Sequence, residues 1–224
     1  MGKLRLYIAN ASGDLKRFSR RIKRAVRIAE KYAVPKLKIK RPIDIIFTSA
    51  LGDTIPETHI GGRAHTSSFI VMTLDPTMKK KIKTRDIFQM LCHELCHSAR
   101  WQRNNEWTSS LLDEMIMEGL ATAFQERAAK DKRYKPDVFV QTITKRSDNI
   151  NQKILKTLSK DLQGKKFDHY KIFIKGDKKL GLPRWSGYSA GYFVVRQYML
   201  KTNTTIDQIF TEKYALLGKI TPVI

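Results

Sequence analysis

The amino-acid sequence predicts an α+β fold in which a small mixed β-sheet packs on one helix and a mainly helical half follows. Segments with strand-like apolar patterns lie within about the first 75 residues, whereas most later segments repeat every three to four residues, as helices do. The 224 residues are 42% hydrophobic and 9% aromatic, which is enough apolar side chain for a sizeable core despite a formal net charge of +22. We therefore expect one domain over residues 1–224, with a basic helix and the sheet in 1–83, two central helices in 84–128 and a helical half in 129–224.

Four extended segments are expected in the first half, over residues 4–8, 43–48, 58–65 and 67–74. The third contains Gly61-Gly62, a pair that weakens a central strand but suits an edge strand or a bulge that another backbone approaches closely. Between the first two segments, apolar residues recur at helical steps from Asp14 to Ala33, with Lys and Arg mostly on the remaining faces. Pro35 is expected to end this helix.

The second half is expected to be mainly helical. Two helices are predicted over about Thr84–Trp101 and from Ser110 to about Ala128, and Ser110 is the predicted N-cap because Asp113 follows three residues later. A further helix from about Asp137, a basic loop and a last helix over about Ser186–Leu200 complete the chain.

The composition also bears on location. The longest apolar runs are far shorter than the roughly 20 residues of a membrane-spanning helix, and the first residues lack the pattern of a signal peptide. The two cysteines, Cys92 and Cys96, lie four residues apart on one predicted helix, so they cannot form a disulfide framework and are expected to be packing residues. A cytoplasmic location is therefore expected.

The chemistry is concentrated in the segment His93-Glu94-Leu95-Cys96-His97. Residues four apart share one face of a helix, so His93 and His97 can present imidazole nitrogens to one zinc ion while Glu94 serves as general base. The apolar stripe of the helix, which includes Ile87 and Leu91, lies on the opposite side. This placement favours metal ligands over the alternative, in which the histidines belong to a hydrogen-bonded core.

A catalytic zinc site needs a third protein ligand and one open position. Glu118 is the candidate, because it lies 21 residues after His97 on the next predicted helix, a distance that allows this helix to turn back on the first. It is surrounded on its helix face by Leu111 and Met115, where a carboxylate is costly unless it is paired or bound to metal. The alternatives are that Glu118 lies on a solvated helix face or that Glu114 is the ligand.

Three motifs together resemble the gluzincin branch of zinc metallopeptidases, and most closely the YjaZ-like predicted zinc proteases: His93-Glu94-x-x-His97, Glu118-Gly119-Leu120-Ala121 and Gly187-Tyr188-Ser189-Ala190-Gly191-Tyr192. The resemblance spans about half of the chain, from Arg85 to Tyr198. It implies a zincin-like fold and one Zn²⁺ per chain, held by His93, His97 and Glu118. Gluzincins often carry an acid four residues after the glutamate ligand, whereas this chain has Thr122 there, which implies a hydroxyl instead of a carboxylate to support a ligand histidine.

The implied reaction is hydrolysis of peptide bonds by an endopeptidase, with a zinc-activated water and Glu94 as the base that takes its proton. The oxyanion needs a further donor, for which Tyr188 is the first candidate, Tyr192 the second and His65 a third that could approach the cleft. The resemblance also implies that an extended substrate pairs with the edge strand, which Thr58–His65 would supply.

The positive charge is concentrated in two flanking regions. Residues 1–43 hold 14 Lys and Arg against 2 acids, and residues 144–184 hold 12 against 4, whereas residues 44–143 are balanced. Together with Lys79–Lys83 and Lys165–Lys179, the first helix could form a positive surface for nucleic acid, acidic protein substrates or anionic lipid. The alternative function is therefore a basic nucleic-acid or membrane-surface binding protein with a structural or inactive metal site. Glu94 argues against it, because a structural zinc site has no use for a base.

Overall fold

The computed structural model describes residues 2–50, 52–79, 81–104 and 108–219. The chain forms two compact units, which are described separately: unit 1 comprises Met1–Asn105 and Phe124–Phe139, and unit 2 comprises Glu106–Ala123 and Val140–Ile224. Helices account for just over half of the described residues, and four strands form one sheet. The predicted α+β class is confirmed.

Unit 1 contains the sheet, in the order β1-β2-β4-β3, with β1 (Leu4–Ile8), β2 (Ile43–Ser49), β3 (Ile60–Thr66) and β4 (Phe69–Leu74). The pairs β1–β2 and β2–β4 are parallel, and β3 runs antiparallel to β4. The sheet is therefore mixed, as predicted, and the glycine-containing strand β3 lies at its edge. Alternate residues of β2, namely Ile43, Ile45 and Phe47, are buried, which is the pattern of a sheet with one covered face.

Helix α1 (Ser19–Lys36) follows a short 3₁₀ turn, Lys16–Phe18, and packs against β1 and α2. It buries an apolar stripe that includes Ile22, Val26 and Ala29. The prediction that Pro35 ends the helix is wrong, because Pro35 lies inside its last turn. A proline so close to the helix end removes only one late hydrogen bond, and the Leu37 amide still donates to the Ala33 carbonyl.

Helix α2 (Thr84–Arg103) begins at a capping interaction, in which the Lys83 amide donates to the Asp86 carboxylate at 2.9 Å. Every residue from Ile87 to Arg100 is buried, so the helix is covered on all sides. The predicted amphipathic pattern is present in the sequence, but the polar side of α2 faces other parts of the protein instead of solvent. None of the described helices has the length and apolar character needed to span a membrane.

Helix α3 (Leu111–Asp131) belongs to unit 2 up to Ala123 and to unit 1 beyond it. Its predicted N-cap is confirmed, since the Ser110 hydroxyl accepts a hydrogen bond from the Asp113 amide at 3.2 Å. The rest of the chain forms helices α4 (Val138–Thr144), α5 (Asp148–Thr157), α6 (Ser186–Thr202), α7 (Ile206–Ile209) and α8 (Tyr214–Gly218). A π-helical turn, Tyr170–Lys175, lies inside the segment predicted to be a basic loop.

Candidate metal centre

His93 and His97 lie one turn apart on α2, and their ring centroids are 4.9 Å apart. Both side chains are buried, with 4% and 6% of their surface exposed. Burying two imidazoles is unfavourable unless their nitrogens have partners, so their surroundings decide whether they belong to the core or to a site.

The ring of His93 is held by a chain of buried polar groups in unit 1. Gln125 Oε1 lies 3.1 Å from His93 Nδ1, and Gln125 Nε2 donates to the Asp137 carboxylate at 2.9 Å. Because the amide donates to Asp137, its oxygen must accept, and Nδ1 of His93 therefore carries the hydrogen. Gln89 completes the chain, since its Oε1 accepts a hydrogen bond from the Asp137 amide. This tautomer makes Nε2 the nitrogen of His93 that can bind a metal.

The support for a ligand histidine therefore comes from Gln125 and not from Thr122. Thr122 lies at the position where gluzincins often carry an acid, and its hydroxyl is buried without a hydrogen-bond partner among the described residues. Gln125 lies almost one turn further along α3, and its side-chain amide also donates a hydrogen bond to the Asp137 carboxylate. The Asp137 carboxylate thus supports His93 indirectly, through Gln125, although the sequence motif has Thr122 in place of an acid.

Glu94 lies against the edge strand β3. Its Oε2 accepts a hydrogen bond from the Ala64 amide at 2.7 Å, and its side chain is 4% exposed. A Cβ atom placed on Gly62 would lie 2.7 Å from both Glu94 Oε1 and Glu94 Cγ, so only glycine leaves room for this carboxylate. Ser98, one turn further along α2, donates to the Thr66 carbonyl at 3.1 Å and fixes the helix to the same strand.

The two glycines of β3 therefore have different neighbours. The prediction of a closely approaching backbone holds for Gly61, whose Cβ would lie 2.6 Å from the Asp53 carbonyl oxygen and would also collide with the Thr73 hydroxyl. At Gly62 the neighbour is a carboxylate side chain, that of Glu94, and this carboxylate is the predicted general base.

Within the part of the chain that the structure describes, one group of metal-binding side chains is close enough to share an ion: His93, His97 and Glu118. Their ligand atoms all lie within 4.8 Å of one another. Two imidazole nitrogens and one carboxylate oxygen are a donor set that suits Zn²⁺ and leaves a fourth position for water or substrate. The residues present thus fit the predicted ion.

The predicted alternative ligand, Glu114, has a different partner. Its Oε1 lies 3.1 Å from Nε2 of His169 in unit 2. Two glycines of the recognised motifs also have a structural role in this unit, because a Cβ on Gly119 would collide with the Gly191 backbone and a Cβ on Gly191 with the Met115 carbonyl. These contacts bring α3 and α6 together at backbone distance next to Glu118.

Two of the three candidate oxyanion donors, Tyr188 and His65, contact aromatic rings. Tyr188 is half-buried near the start of α6, and its ring meets Phe173 and Trp185 edge to face at centroid distances of 5.6 and 5.8 Å. Tyr192 is buried. His65 is exposed, and its ring lies 5.4 Å from that of Phe69. The roles predicted for these residues stay predictions.

Cys92 and Cys96 are buried thiols that form no disulfide with any residue described in the structure, in agreement with their prediction as packing residues. Burial raises the pKa of the Cys92 thiol well above its ordinary value, and the neighbouring Cys96 raises it further. A thiol in this environment stays protonated at neutral pH and is a poor nucleophile.

Residues 18–217 match the family described as predicted Zn-dependent protease (DUF2268). The chain belongs to this family. No match was found among curated proteins, and none was found among solved structures. The family description supports a zinc protease at a coarse level, in agreement with the donor set of His93, His97 and Glu118.

Several residues of this candidate metal site are missing from the sequence-based prediction, namely Gln89, Gln125, Asp137 and the backbone amide of Ala64. No motif spacing identifies a glutamine that supports a ligand histidine. Every residue except proline has a backbone amide, so the sequence does not indicate which amide binds a carboxylate. The one available signal was Gly62, since a glycine inside a strand indicates a close approach.

Proposed function

We propose that the protein is a zincin-like, zinc-dependent endopeptidase that hydrolyses peptide bonds with Glu94 as general base. The observation that carries this proposal is the placement of Glu94, a buried carboxylate next to a candidate ligand histidine and in contact with an edge strand. A structural zinc site needs no such group, whereas metal-assisted hydrolysis needs one beside the reacting carbonyl.

His93, His97 and Glu118 would hold the zinc ion, and the hydrogen bond from His93 Nδ1 to Gln125 orients the first of them. A bound zinc ion supplies Lewis acidity, which lowers the pKa of water and polarises a carbonyl group. The chain of Gln125 and Asp137 keeps the imidazole in one tautomer and makes it a more basic ligand.

Glu94 would move the proton. Its Oε2 is fixed by the Ala64 amide, so Oε1 is the atom that takes a proton from the attacking water and returns it to the leaving amine. Because Gly62 has no side chain, the Glu94 carboxylate can lie in direct contact with the backbone of β3. Holding the base in one place before the reaction reduces the entropy lost on reaching the transition state.

The edge strand β3 would bind the substrate through backbone hydrogen bonds. Residues of this strand point their amide and carbonyl groups alternately towards β4 and away from it. Ile60 belongs to the outward set, and its carbonyl accepts a bond from the Ile55 amide. The stretch for an extended peptide therefore begins at Gly62, and within it the Ala64 amide already donates to Glu94. Tyr188 is the proposed donor of a hydrogen bond to the oxyanion. The proposed substrates are acidic peptides, because the chain carries a large positive net charge.

Metal analysis combined with one assay tests the proposal. We expect about one zinc per chain by elemental analysis in the wild type and in Glu94→Gln, and little in His97→Ala. Hydrolysis of unfolded casein should fall by about 10²- to 10⁴-fold in Glu94→Gln, because the amide cannot take a proton. Hydrolysis that survives this substitution would refute the role of Glu94, and a wild type that takes up no zinc would refute the enzyme.

A further inference from the structure

Helix α1 presents a dense row of positive charge. Arg20, Lys23, Arg24, Arg27 and Lys31, here called the α1 ridge, are all exposed. At 100° per residue they fall within an arc of about 100°, and they extend over about 16 Å of helix. Two more exposed cations, in the preceding 3₁₀ turn, lengthen the row towards the N-terminus.

The ridge cations have no partner among the residues that the structure describes. Other cations of the same helix do: Arg21 donates to the Lys79 and Ile82 carbonyls, and Lys36 lies 3.4 Å from the Asp131 carboxylate. The cations of α1 therefore divide into two sets, and the exposed ridge is the set without a protein partner.

The acids of the same segment of the chain already have hydrogen-bond partners elsewhere. Residues 1–43 contain two acids, Asp14 and Glu30. Asp14 accepts hydrogen bonds from the Ser12 and Ser49 hydroxyls, and Glu30 Oε1 accepts from the Leu4 amide at 3.0 Å. Neither carboxylate neutralises the ridge, so its charge is available to an external anion.

Like charges three or four residues apart destabilise a helix. The ridge contains five such pairs, since Arg20 is followed by Lys23 and Arg24, both of these by Arg27, and Arg27 by Lys31. An anion that runs along the helix would remove all five repulsions at once. The ridge is thus suited to a linear polyanion more than to a small ion.

We propose that the α1 ridge binds the phosphate backbone of double-stranded nucleic acid, independently of base sequence. Five cations in a row along 16 Å can each meet a phosphate of a rigid duplex, and Arg binds phosphate in a bidentate manner. The exposed arc offers only Lys and Arg, which position a protein on the backbone without reading bases.

Two other partners fit the ridge less well. Single strands are bound by aromatic side chains on which bases stack, and the aromatic residue of α1, Tyr32, is buried. Membrane-surface helices insert an apolar face, but the apolar face of α1, including Ile22, Val26 and Ala29, is packed in unit 1. Duplex nucleic acid is the partner that needs neither an aromatic nor an apolar face.

The test is the salt dependence of binding, measured by fluorescence anisotropy with the full chain and a mixed-sequence 20-base-pair duplex, as DNA and as RNA. If the five ridge cations each neutralise one phosphate, the slope of log K against log salt is about −4.5, and affinity falls about 500-fold between 50 and 200 mM salt. A second duplex of unrelated sequence should bind equally.

Two matched variants separate the ridge from the net charge. In Arg20→Gln/Lys23→Gln/Arg27→Gln the slope should fall to about −1.8. In Lys153→Gln/Lys156→Gln/Lys160→Gln, three exposed cations of unit 2 are lost, the charge change is the same, and the wild-type slope should remain. Circular dichroism checks that both variants are folded.

Three results would overturn the proposal. The first is an equal loss in both variants, which would assign binding to net charge. The second is a wild type whose affinity for either duplex does not depend on salt. The third is binding to vesicles of phosphatidylserine and phosphatidylcholine that the ridge substitutions abolish while duplex binding is absent, which would assign the ridge to a membrane surface.

Discussion

The two long helices of unit 1, α1 and α2, both carry many polar side chains but use them in opposite ways. On α2, His93 and Glu94 are buried, and each has a defined hydrogen-bond partner. On α1, the ridge from Arg20 to Lys31 is exposed and without protein partners in the described chain. The polar groups of α2 are positioned by the protein, and those of α1 are left for solvent or a ligand.

This difference indicates which substitutions should have large effects. A group held by neighbours in a buried site loses its geometry when one neighbour changes, because nothing else there can replace it. An exposed cation loses only a screened interaction of modest size. The expected effects therefore decrease from the site of α2 to the ridge of α1.

The largest effect is expected at Gly62. In Gly62→Ala, the added Cβ would lie 2.7 Å from the Glu94 carboxylate and must displace it. We expect kcat on a peptide substrate to fall about 100-fold, as it does when a reacting group is moved by about 1 Å. KM should change little, and the zinc content should equal that of the wild type, because His93 and His97 are untouched.

Arg5→Ala is the control for Gly62→Ala, since Arg5 is an exposed residue of β1, the strand at the opposite edge of the same sheet. It should leave kcat unchanged. If Gly62→Ala retained full activity, the position in which β3 holds the Glu94 carboxylate would not matter for the reaction. The polar groups of α2 would then not depend on their neighbours more than the exposed cations of α1 do.

The next effect is expected at Gln125. Replacement by Leu removes both the bond to His93 Nδ1 and the bond to Asp137. Loss of such a support typically weakens metal binding by about 10- to 100-fold. Zinc affinity, measured by competition with a chromophoric chelator, should fall by this factor in Gln125→Leu.

Thr122→Val provides the comparison for Gln125→Leu on the same helix. The Thr122 hydroxyl is buried and makes no hydrogen bond to the described residues, so the isosteric valine should bind zinc as well as the wild type. Equal affinities in all three proteins would show that the chain of Gln125 and Asp137 does not support the metal site.

The contrast between Gln125 and Thr122 also shows what the sequence can predict. Local features are predicted well: β1 is found at Leu4–Ile8, the N-cap at Ser110, and two histidines on one helix face. These features depend on neighbours up to four residues away. The bond from His93 to Gln125 joins residues 32 positions apart, and that between Ala64 and Glu94 joins residues 30 apart. Such contacts depend on how helices and strands pack, which periodicity does not reveal.

Helix ends and the C-terminal half were predicted less well for a related reason. Pro35 is tolerated because the helix ends one residue later, and the turn Tyr170–Lys175 forms inside a basic segment without a clear apolar period. Motif residues are more informative. Gly119 and Gly191 belong to the motifs that carry the family resemblance, and the structure gives the physical reason, a helix contact at backbone distance.

The smallest effect is expected for a substitution on α1. The informative result is whether the substitution raises or lowers the free energy of unfolding. Arg27→Gln removes three of the five like-charge pairs of the ridge, with Lys23, Arg24 and Lys31, while helix propensity hardly changes. Unfolding in urea at low salt should therefore require up to about 1 kcal/mol more free energy than in the wild type. The gain should shrink at high salt, because screening already weakens the repulsion.

Arg127→Gln is the matched opposite of this variant. Arg127 Nε lies 2.8 Å from the Asp131 carboxylate, one turn further along α3, so its replacement removes an attraction and should destabilise the protein by about 0.3–0.5 kcal/mol. Opposite signs for the two arginines would mean that the ridge charges are a cost to the folded chain, as expected for groups whose partner is external. If Arg27→Gln also destabilised the protein, Arg27 would have a stabilising partner within the protein, and the difference between α1 and α2 would be one of exposure alone.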